Sequence, residues 1–251
     1  MRIIEGEPSV HRVVGVLLYE GVDEKKILDP IGEFADRIRN TEVLVSASIY
    51  KTIGGINDLV ELVGYVVTKY KTVITKVLCV YDLEKVGRNN IELTSDTDKL
   101  LKMFGSMFVD ALGSLGFHDV LFNWLHHRII VAELDGVKVL LAISGSSTIP
   151  SIEYHVIELL KRVPWDNNVD IDRRLRLNEL HSPCTGSCLD DLKRRLKSLI
   201  RELKDFMPWK KKPKKLSGYR DLVEYLLTVS PRLVKESLDH LFELVVYAIS
   251  S

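Results

Sequence analysis

The chain has 251 residues, with 35 basic and 35 acidic side chains, so its formal net charge is zero. Apolar residues make up 46% and charged residues 28%, a globular balance that excludes an intrinsically disordered chain. Residues 1–163 have 18 Lys and Arg against 22 Asp and Glu, and residues 164–251 have 17 against 13. The net charges of −4 and +4 predict two functional halves.

No apolar run approaches the roughly 18 residues that a membrane-spanning helix needs, and the first ten residues have no apolar core of a secretory signal. Three cysteines do not make a secreted disulfide framework, so we expect a cytoplasmic protein. The sequence contains no glutamine, and heat-labile amides are depleted in hyperthermophile proteins. This composition predicts a thermophilic, archaeal source, in which intracellular disulfides occur.

The first 54 residues are predicted to form an N-terminal α/β extension. Residues 11–21 and 42–48 are rich in β-branched residues and predict strands. Asp29-Pro30 is typical of the first two positions of a helix, and a hairpin is predicted through residues 21–24.

Residues 55–163 have the clearest pattern. Apolar residues at helical spacing begin at Ile56, residues 72–83 predict a strand, and residues 91–93 predict a short returning strand. Asp135-Gly136 between two apolar runs indicates a type I′ hairpin. The element order is α-β-β-α-β-β-β-α, which predicts an α+β fold whose antiparallel five-stranded sheet is covered by helices.

The segments "KMFGSMFVDALGSLG" and "DVLFNWLHHRIIVAELDGVKVLLAI", followed by a closing helix, carry a resemblance. In this element order, residues 55–163 resemble the roadblock/LC7 family, and the longin fold is a close architectural alternative. The resemblance implies a homodimer that acts as a platform, with a small Ras-like GTPase as partner. The candidate dimer-interface residues are Gly105, Phe108, Leu112, Val120 and Phe122. The alternative is that the glycines of this helix pack on the protein's own sheet.

Residues 164–186 are polar and predict a linker, and residues 187–251 predict a basic helical domain. A stripe of apolar residues from Leu189 to Phe206 steps by three and four residues, which indicates an amphipathic helix. Ser230-Pro231 marks the start of the last helix. The C-terminal part is therefore predicted to be a small bundle of three helices.

Residues 193–215 contain eleven Lys and Arg and only two acidic residues. Such a density suits phosphate binding, and a tryptophan beside it suits stacking on a base. Two alternatives remain, namely a solvated loop between helices and a surface for an acidic protein partner. The candidate polyanion-binding residues are Lys193, Arg194, Lys197, Arg201, Trp209, Lys210, Lys211, Lys212, Lys214 and Lys215.

His181, Cys184 and Cys188 form one local group of metal-ligand type, whereas zinc prefers four ligands in two such groups. Three alternatives stay open, which are a weak metal site, a disulfide and two free thiols. His126 and His127 lie apart from this group. We expect no resident metal and no cofactor, and no catalytic motif is recognised.

Two functions follow from these patterns. The first is a non-enzymatic scaffold or regulatory protein that dimerises through its roadblock-like part and acts on a small Ras-like GTPase. The alternative is a nucleic-acid-binding protein that uses the basic surface of residues 193–215 with little sequence specificity.

Overall fold

The computed structural model describes residues 1–8, 13–19, 21–36, 42–45, 55–117, 120–165 and 169–250. The strands in these ranges are β1 (Arg2–Glu5), β2 (Gly15–Tyr19), β3 (Glu42–Val45), β4 (Lys76–Asp82), β5 (Phe122–His126), β6 (Ile129–Leu134) and β7 (Val137–Ser144). They form one seven-stranded sheet in the order β1-β3-β2-β4-β7-β6-β5. The protein is therefore of mixed α and β structure, in agreement with the broad class expected.

Five of the strands run parallel to their neighbours, and two run antiparallel. Strands β1, β3, β2, β4 and β7 are parallel, with Leu17 of β2 opposite Leu78 of β4, and Leu78 opposite Leu140 of β7. Strands β6 and β5 complete the sheet as an antiparallel meander after β7 in space. One end of the sheet is thus a parallel α/β arrangement and the other end is a hairpin.

The prediction of an antiparallel five-stranded sheet was wrong. Strands β2 and β4 are buried along their whole length, because helices cover both faces of the sheet. Parallel strands buried on both faces are continuous apolar runs, and such runs do not reveal their direction. The first strands also join the same sheet, and residues 91–93 lie in and after a short helix instead of a returning strand.

The longer helices are α1 (Val22–Ala35), α2 (Ile56–Tyr70), α4 (Thr97–Ser114), α5 (Glu153–Arg162), α7 (Ser187–Glu202), α8 (Tyr219–Val229) and α10 (Asp239–Ile249). The shorter helices are α3 (Arg88–Glu92), α6 (Ile171–Leu175) and α9 (Pro231–Ser237). The predicted helix starts at residue 56 and at Pro231 are confirmed. The predicted hairpin through residues 21–24 was wrong, because Glu24 accepts the Gly21 N–H at 3.0 Å and caps the start of α1.

The two faces of the sheet have separate hydrophobic cores. Helices α2 and α4 cover one face, where Leu18, Cys79 and Leu141 are buried. The other face is covered by α1, α5, α7, α8 and α10, over Leu17 and Leu78. The apolar stripe of α7 lies in this second core, so the C-terminal helices and the first strands share one core.

Helix α10 runs across β4 and β7 in the direction opposite to these strands. Its last turn lies at the start of β4, where the Lys76 ammonium donates to the carbonyls of Tyr247 and Ala248 at 2.8 and 2.9 Å. Its first turn consequently lies at the end of β7. Within the described ranges, no helix combines the length and apolarity that crossing a bilayer requires.

Candidate functional site

The carboxyl ends of β2, β4 and β7 lie along one edge of the sheet, because these strands are parallel and adjacent. We call this the carboxyl edge. Helix α1 follows β2 on one face of the sheet, and α2 precedes β4 on the other. In open α/β sheets, ligands bind outside the carboxyl ends of strands where the chain changes face in this way. The carboxyl edge is therefore the first place to seek a site.

Strand β7 ends in a tight turn that brings two histidines together. Gly145 has φ +101°, and a Cβ on it would lie 2.4 Å from the backbone carbon of Pro150, so only glycine fits. The Gly145 N–H donates to His155 Nε2 at 3.1 Å. The Ser144 hydroxyl lies 3.0 Å from His240 Nε2, and the two imidazole centroids are 4.3 Å apart.

Both imidazoles are neutral near pH 7. Burial lowers the pKa of His155 well below 6.5 and, with the charge of Arg128 opposing the effect of Asp239, lowers the pKa of His240 to about 4. His240 Nδ1 lies 3.5 Å from Asp239 Oδ1 without a hydrogen bond, and the His240 backbone N–H donates to this oxygen at 2.7 Å. Burial raises the pKa of Asp239, but hydrogen bonds with His240 outweigh this and hold it at about 2.

A buried arginine fixes the turn between β5 and β6. Arg128 Nη1 donates to the carbonyl of Gly145 at 2.8 Å, which ties this turn to the end of β7. Burial lowers the pKa of the Arg128 guanidinium. The two residues before it, His126 and His127, are thereby held at the carboxyl edge beside α10.

His126, His127 and Asp239 form a group with the chemistry of a metal site. One ligand atom from each lies within 4.8 Å of the other two. Sequence reasoning missed this group because more than a hundred residues separate His127 from Asp239. The available signal was a His-His pair at a tight hairpin turn, where glycine, asparagine and aspartate are usual.

A second polar cluster lies at the first turn of α5. The Tyr219 hydroxyl donates to buried Glu153 Oε1 at 3.1 Å, and Lys193 Nζ lies 3.8 Å from Glu153 Oε2. Burial and the charge of Glu153 raise the pKa of Tyr219 well above 10. Burial lowers the pKa of Lys193, but the combined charges of Glu153, Asp82, Glu84 and Glu24 outweigh burial, so the pKa is raised. Lys193 therefore neutralises an internal carboxylate.

The predicted polyanion-binding residues lie in two different settings. On α7, Lys197 pairs with Asp23 at 2.9 Å, and Arg194 pairs with Asp191 at 3.3 Å. The loop residues form the other group, and their lysine side chains are exposed: Lys210, Lys211, Lys212, Lys214 and Lys215. Trp209 packs against Tyr225 with ring centroids 6.0 Å apart. On α7, Arg194 and Arg201 are exposed as well, so the exposed positive charge is denser in the loop than along the helix.

The predicted dimer-interface residues are also divided. Phe108 and Leu112 are fully buried against the protein's own sheet. A Cβ on Gly105 would lie 2.7 Å from the ring of Trp124 in β5, so this glycine admits the strand's own tryptophan. Phe122 is exposed and Val120 is half-buried. The exposed part of the predicted surface is therefore β5 and the residues just before it.

Cys184 and Cys188 form a disulfide bond, which was one of the three alternatives. His181 is exposed nearby, at the edge of a cleft that also contains Thr148, Tyr154 and Asp172. The remaining cysteine, Cys79, is buried in β4, and burial raises the pKa of its thiol.

The fold and site together define an α/β protein with an open mixed sheet and a polar, histidine-containing carboxyl edge. No family model matches this sequence, and neither a curated protein nor a solved structure matches it.

Proposed function

We propose that this chain is a scaffold that forms a homodimer by pairing β5 with β5 of a second copy. The observation that carries the proposal is the character of this strand. It is the last strand of the sheet, and its sequence, "FNWLH", contains no acidic residue, lysine, arginine or proline. Phe122, Trp124 and Leu125 are all exposed.

Edge strands present unpaired backbone donors and acceptors, and natural proteins protect them with charges, lysine or proline. Strand β5 has none of these residues; its pairing with β6 is irregular only between Trp124 and His126, and the exposed Leu121 extends its apolar surface at the other end. Apolar patches of this kind mark interaction surfaces. Two copies related by a twofold axis present the same strand to each other in antiparallel orientation, so the edge is complementary to itself.

The proposal is tested with lysines on the outer surface of the strand. Leu121 and Leu125 are 80% and 44% exposed, so Leu121→Lys/Leu125→Lys leaves the monomer's core intact. Burying each leucine in an interface contributes about 1.5–3 kcal/mol, so the double variant is expected to weaken dimerisation by at least about 100-fold. Sedimentation equilibrium at tens of micromolar measures this constant.

A matched control uses two apolar residues of the same exposure away from β5. Leu93 and Val73 are 82% and 47% exposed, so Leu93→Lys/Val73→Lys makes the same change in charge and hydrophobicity. This control is expected to remain a dimer. A wild-type chain that sediments as a monomer, or a β5 variant that stays dimeric, would overturn the proposal.

The proposed identity of the scaffold's partner is based on the sequence resemblance alone. A small Ras-like GTPase is the partner that the likeness of residues 55–163 to the roadblock family implies. Binding of this GTPase class remains a prediction, and purified GTPase titrated onto the dimer would test it.

A second candidate function is nucleic-acid binding by the loop of residues 210–215. The supporting observation is that the loop exposes five lysines, of which Lys212 also donates to the carbonyls of Asp205 and Met207. The Tyr225 hydroxyl donates to the Lys211 carbonyl at 2.8 Å and helps to hold the loop backbone. Lysine ammoniums bind phosphates with little sequence preference. We expect an affinity that falls steeply with salt if this loop contacts a nucleic-acid backbone.

Fluorescence anisotropy with mixed-sequence oligonucleotides tests this second function. Changing all five loop lysines to alanine is expected to abolish binding, and each lost duplex phosphate contact reduces the log–log salt slope by about 0.9. A control with the same loss of charge changes Lys26, Lys71, Lys99, Lys102 and Lys235, which are exposed elsewhere. Equal loss of binding in both variants would contradict a role for the loop.

A further inference from the structure

The turn between β5 and β6 directs two imidazoles toward the first turn of α10. The pairing of β5 with β6 shifts register between Trp124 and His126, which is the kind of irregularity that redirects a side chain. His126 and His127 have ring centroids 4.0 Å apart. His126 Nε2 lies 3.3 Å from Asp239 Oδ2, and His126 Nδ1 accepts the Arg128 N–H at 3.3 Å, so a metal ion at Nε2 requires the ring proton on Nδ1 in place of this bond. Two nitrogen donors and one oxygen donor therefore converge from separate elements.

The Asp239 carboxylate is also held by a hydrogen bond to the oxygen that does not face His126. The other oxygen of Asp239, Oδ1, accepts the His240 backbone N–H at 2.7 Å, and His240 Nε2 is hydrogen-bonded to the Ser144 hydroxyl. The His240 and Ser144 side chains are fully buried and fix the position of Asp239. Such a second layer of hydrogen bonds around a ligand is a regular feature of metal sites in proteins.

We propose that His126, His127 and Asp239 bind a divalent transition-metal ion of the zinc type. Imidazole nitrogens with one carboxylate suit zinc, whereas magnesium and calcium prefer sites built from oxygen. Tetrahedral zinc with bonds of about 2.0–2.1 Å has donor atoms about 3.3 Å apart. His126 and Asp239 already have this separation, and a rotation of the exposed His127 ring brings in the third donor.

Three protein ligands leave one position of a tetrahedral ion open to solvent. His127 is exposed and the other two ligands are half-buried, so the open position faces outward at the carboxyl edge. The site also joins the β5–β6 turn to α10, two elements that are distant in sequence. Bound metal is therefore expected to stabilise the folded chain, because the unfolded chain does not hold the three ligands together.

Calorimetric titration of chelator-treated full-length protein with Zn²⁺ tests the proposal. The wild type is expected to bind one Zn²⁺ per chain, to melt at a higher temperature when it does, and to leave Mg²⁺ unbound. His127→Ala removes an exposed ligand without touching the core, and it is expected to weaken Zn²⁺ binding by more than about 100-fold. Asp239→Asn is expected to have the same effect.

The control is His181→Ala, which removes the exposed histidine beside the disulfide and is expected to bind Zn²⁺ like the wild type. Circular dichroism verifies that each variant is folded, and His127→Ala carries the test if Asp239→Asn is not. Absence of Zn²⁺ binding by the wild type would overturn the proposal. Wild-type affinity in His127→Ala would do so too, as would loss of binding in His181→Ala alone.

Discussion

Strand β5 and the carboxyl end of β7 lie two strands apart in the same sheet. Each contradicts the usual rule that apolar residues are buried and polar residues are exposed, but in the opposite way. Strand β5 exposes phenylalanine, tryptophan and leucine. The end of β7 buries serine, histidine and arginine. Exposed large apolar groups and buried polar groups are the two informative exceptions in a globular protein.

The two exceptions are satisfied in different ways. At the end of β7 the chain supplies its own partners, since Gly145 donates to His155 and Ser144 bonds to His240. At β5 the apolar side chains are exposed, and among the described residues no further strand pairs with its outer edge. The polar groups of the first region are bonded mostly within one chain, whereas our proposal has a second copy cover the exposed apolar groups of β5.

Lowering the pH is expected to destabilise the buried polar residues at the end of β7 more than the exposed strand β5. The pKa of folded His240 is depressed from 6.5 to about 4, so its contribution to stability is intact above pH 6.5 and is lost as the pH falls toward 4. Between pH 7.5 and 5 this residue alone is expected to remove about 2 kcal/mol from the free energy of unfolding. Urea denaturation at the two pH values, at one protein concentration, measures the loss.

The part due to His240 is isolated with a variant. His240→Gln keeps a donor and an acceptor but does not titrate, so its stability should fall less between the two pH values. Part of the loss remains because His155 is also buried and neutral. His181→Gln, at an exposed position, is the control and should follow the wild type. If the stability of His240→Gln and of the wild type fell equally between the two pH values, the loss would not come from His240.

A smaller effect is expected where β5 meets α4. Alanine at Gly105 places a Cβ 2.7 Å from the Trp124 ring and 3.0 Å from Ile130, so the strand must move. We expect a net loss of about 1 kcal/mol, because overpacking exceeds the gain in helix propensity. Gly113 on the same helix has open space around it, and Gly113→Ala should raise stability by about 0.5–1 kcal/mol. Thermal unfolding of both variants shows whether Gly105→Ala lowers and Gly113→Ala raises the stability.

If Gly105→Ala were as stable as Gly113→Ala, Trp124 would not be packed firmly against α4. The position of β5 would then not be fixed by this contact, and β5 would be a poorer strand for a second copy to pair with.

Local patterns predicted most of the later elements but not the sheet, and the helix start expected at Asp29-Pro30 was wrong because Pro30 lies inside α1. Helix α4 and the meander of β5, β6 and β7 follow from spacing within a few residues. The Asp135-Gly136 hairpin is confirmed, with φ of 50° and 80° at its two residues. The parallel pairing of β2 with β4 joins segments about sixty residues apart, and no local pattern encodes that contact.

The same limit applies to the sites. The disulfide between Cys184 and Cys188 was among the alternatives because its two residues are close in sequence. The group of His126, His127 and Asp239 was missed because the β5–β6 turn and α10 meet only in the tertiary fold. The exposed lysine loop was recognised from composition, but the pairing of Lys197 with Asp23 depends on packing and was not.

Hydrogen exchange along β5 tests the pairing of this strand with a second copy most directly. We expect the outward-facing backbone amides of β5, which do not bond to β6, to exchange more slowly as the wild-type concentration rises through the dimer dissociation constant. In Leu121→Lys/Leu125→Lys the same amides should exchange fast at every concentration. If the outward-facing wild-type amides of β5 exchanged equally fast at low and high concentration, β5 would not pair with a second copy.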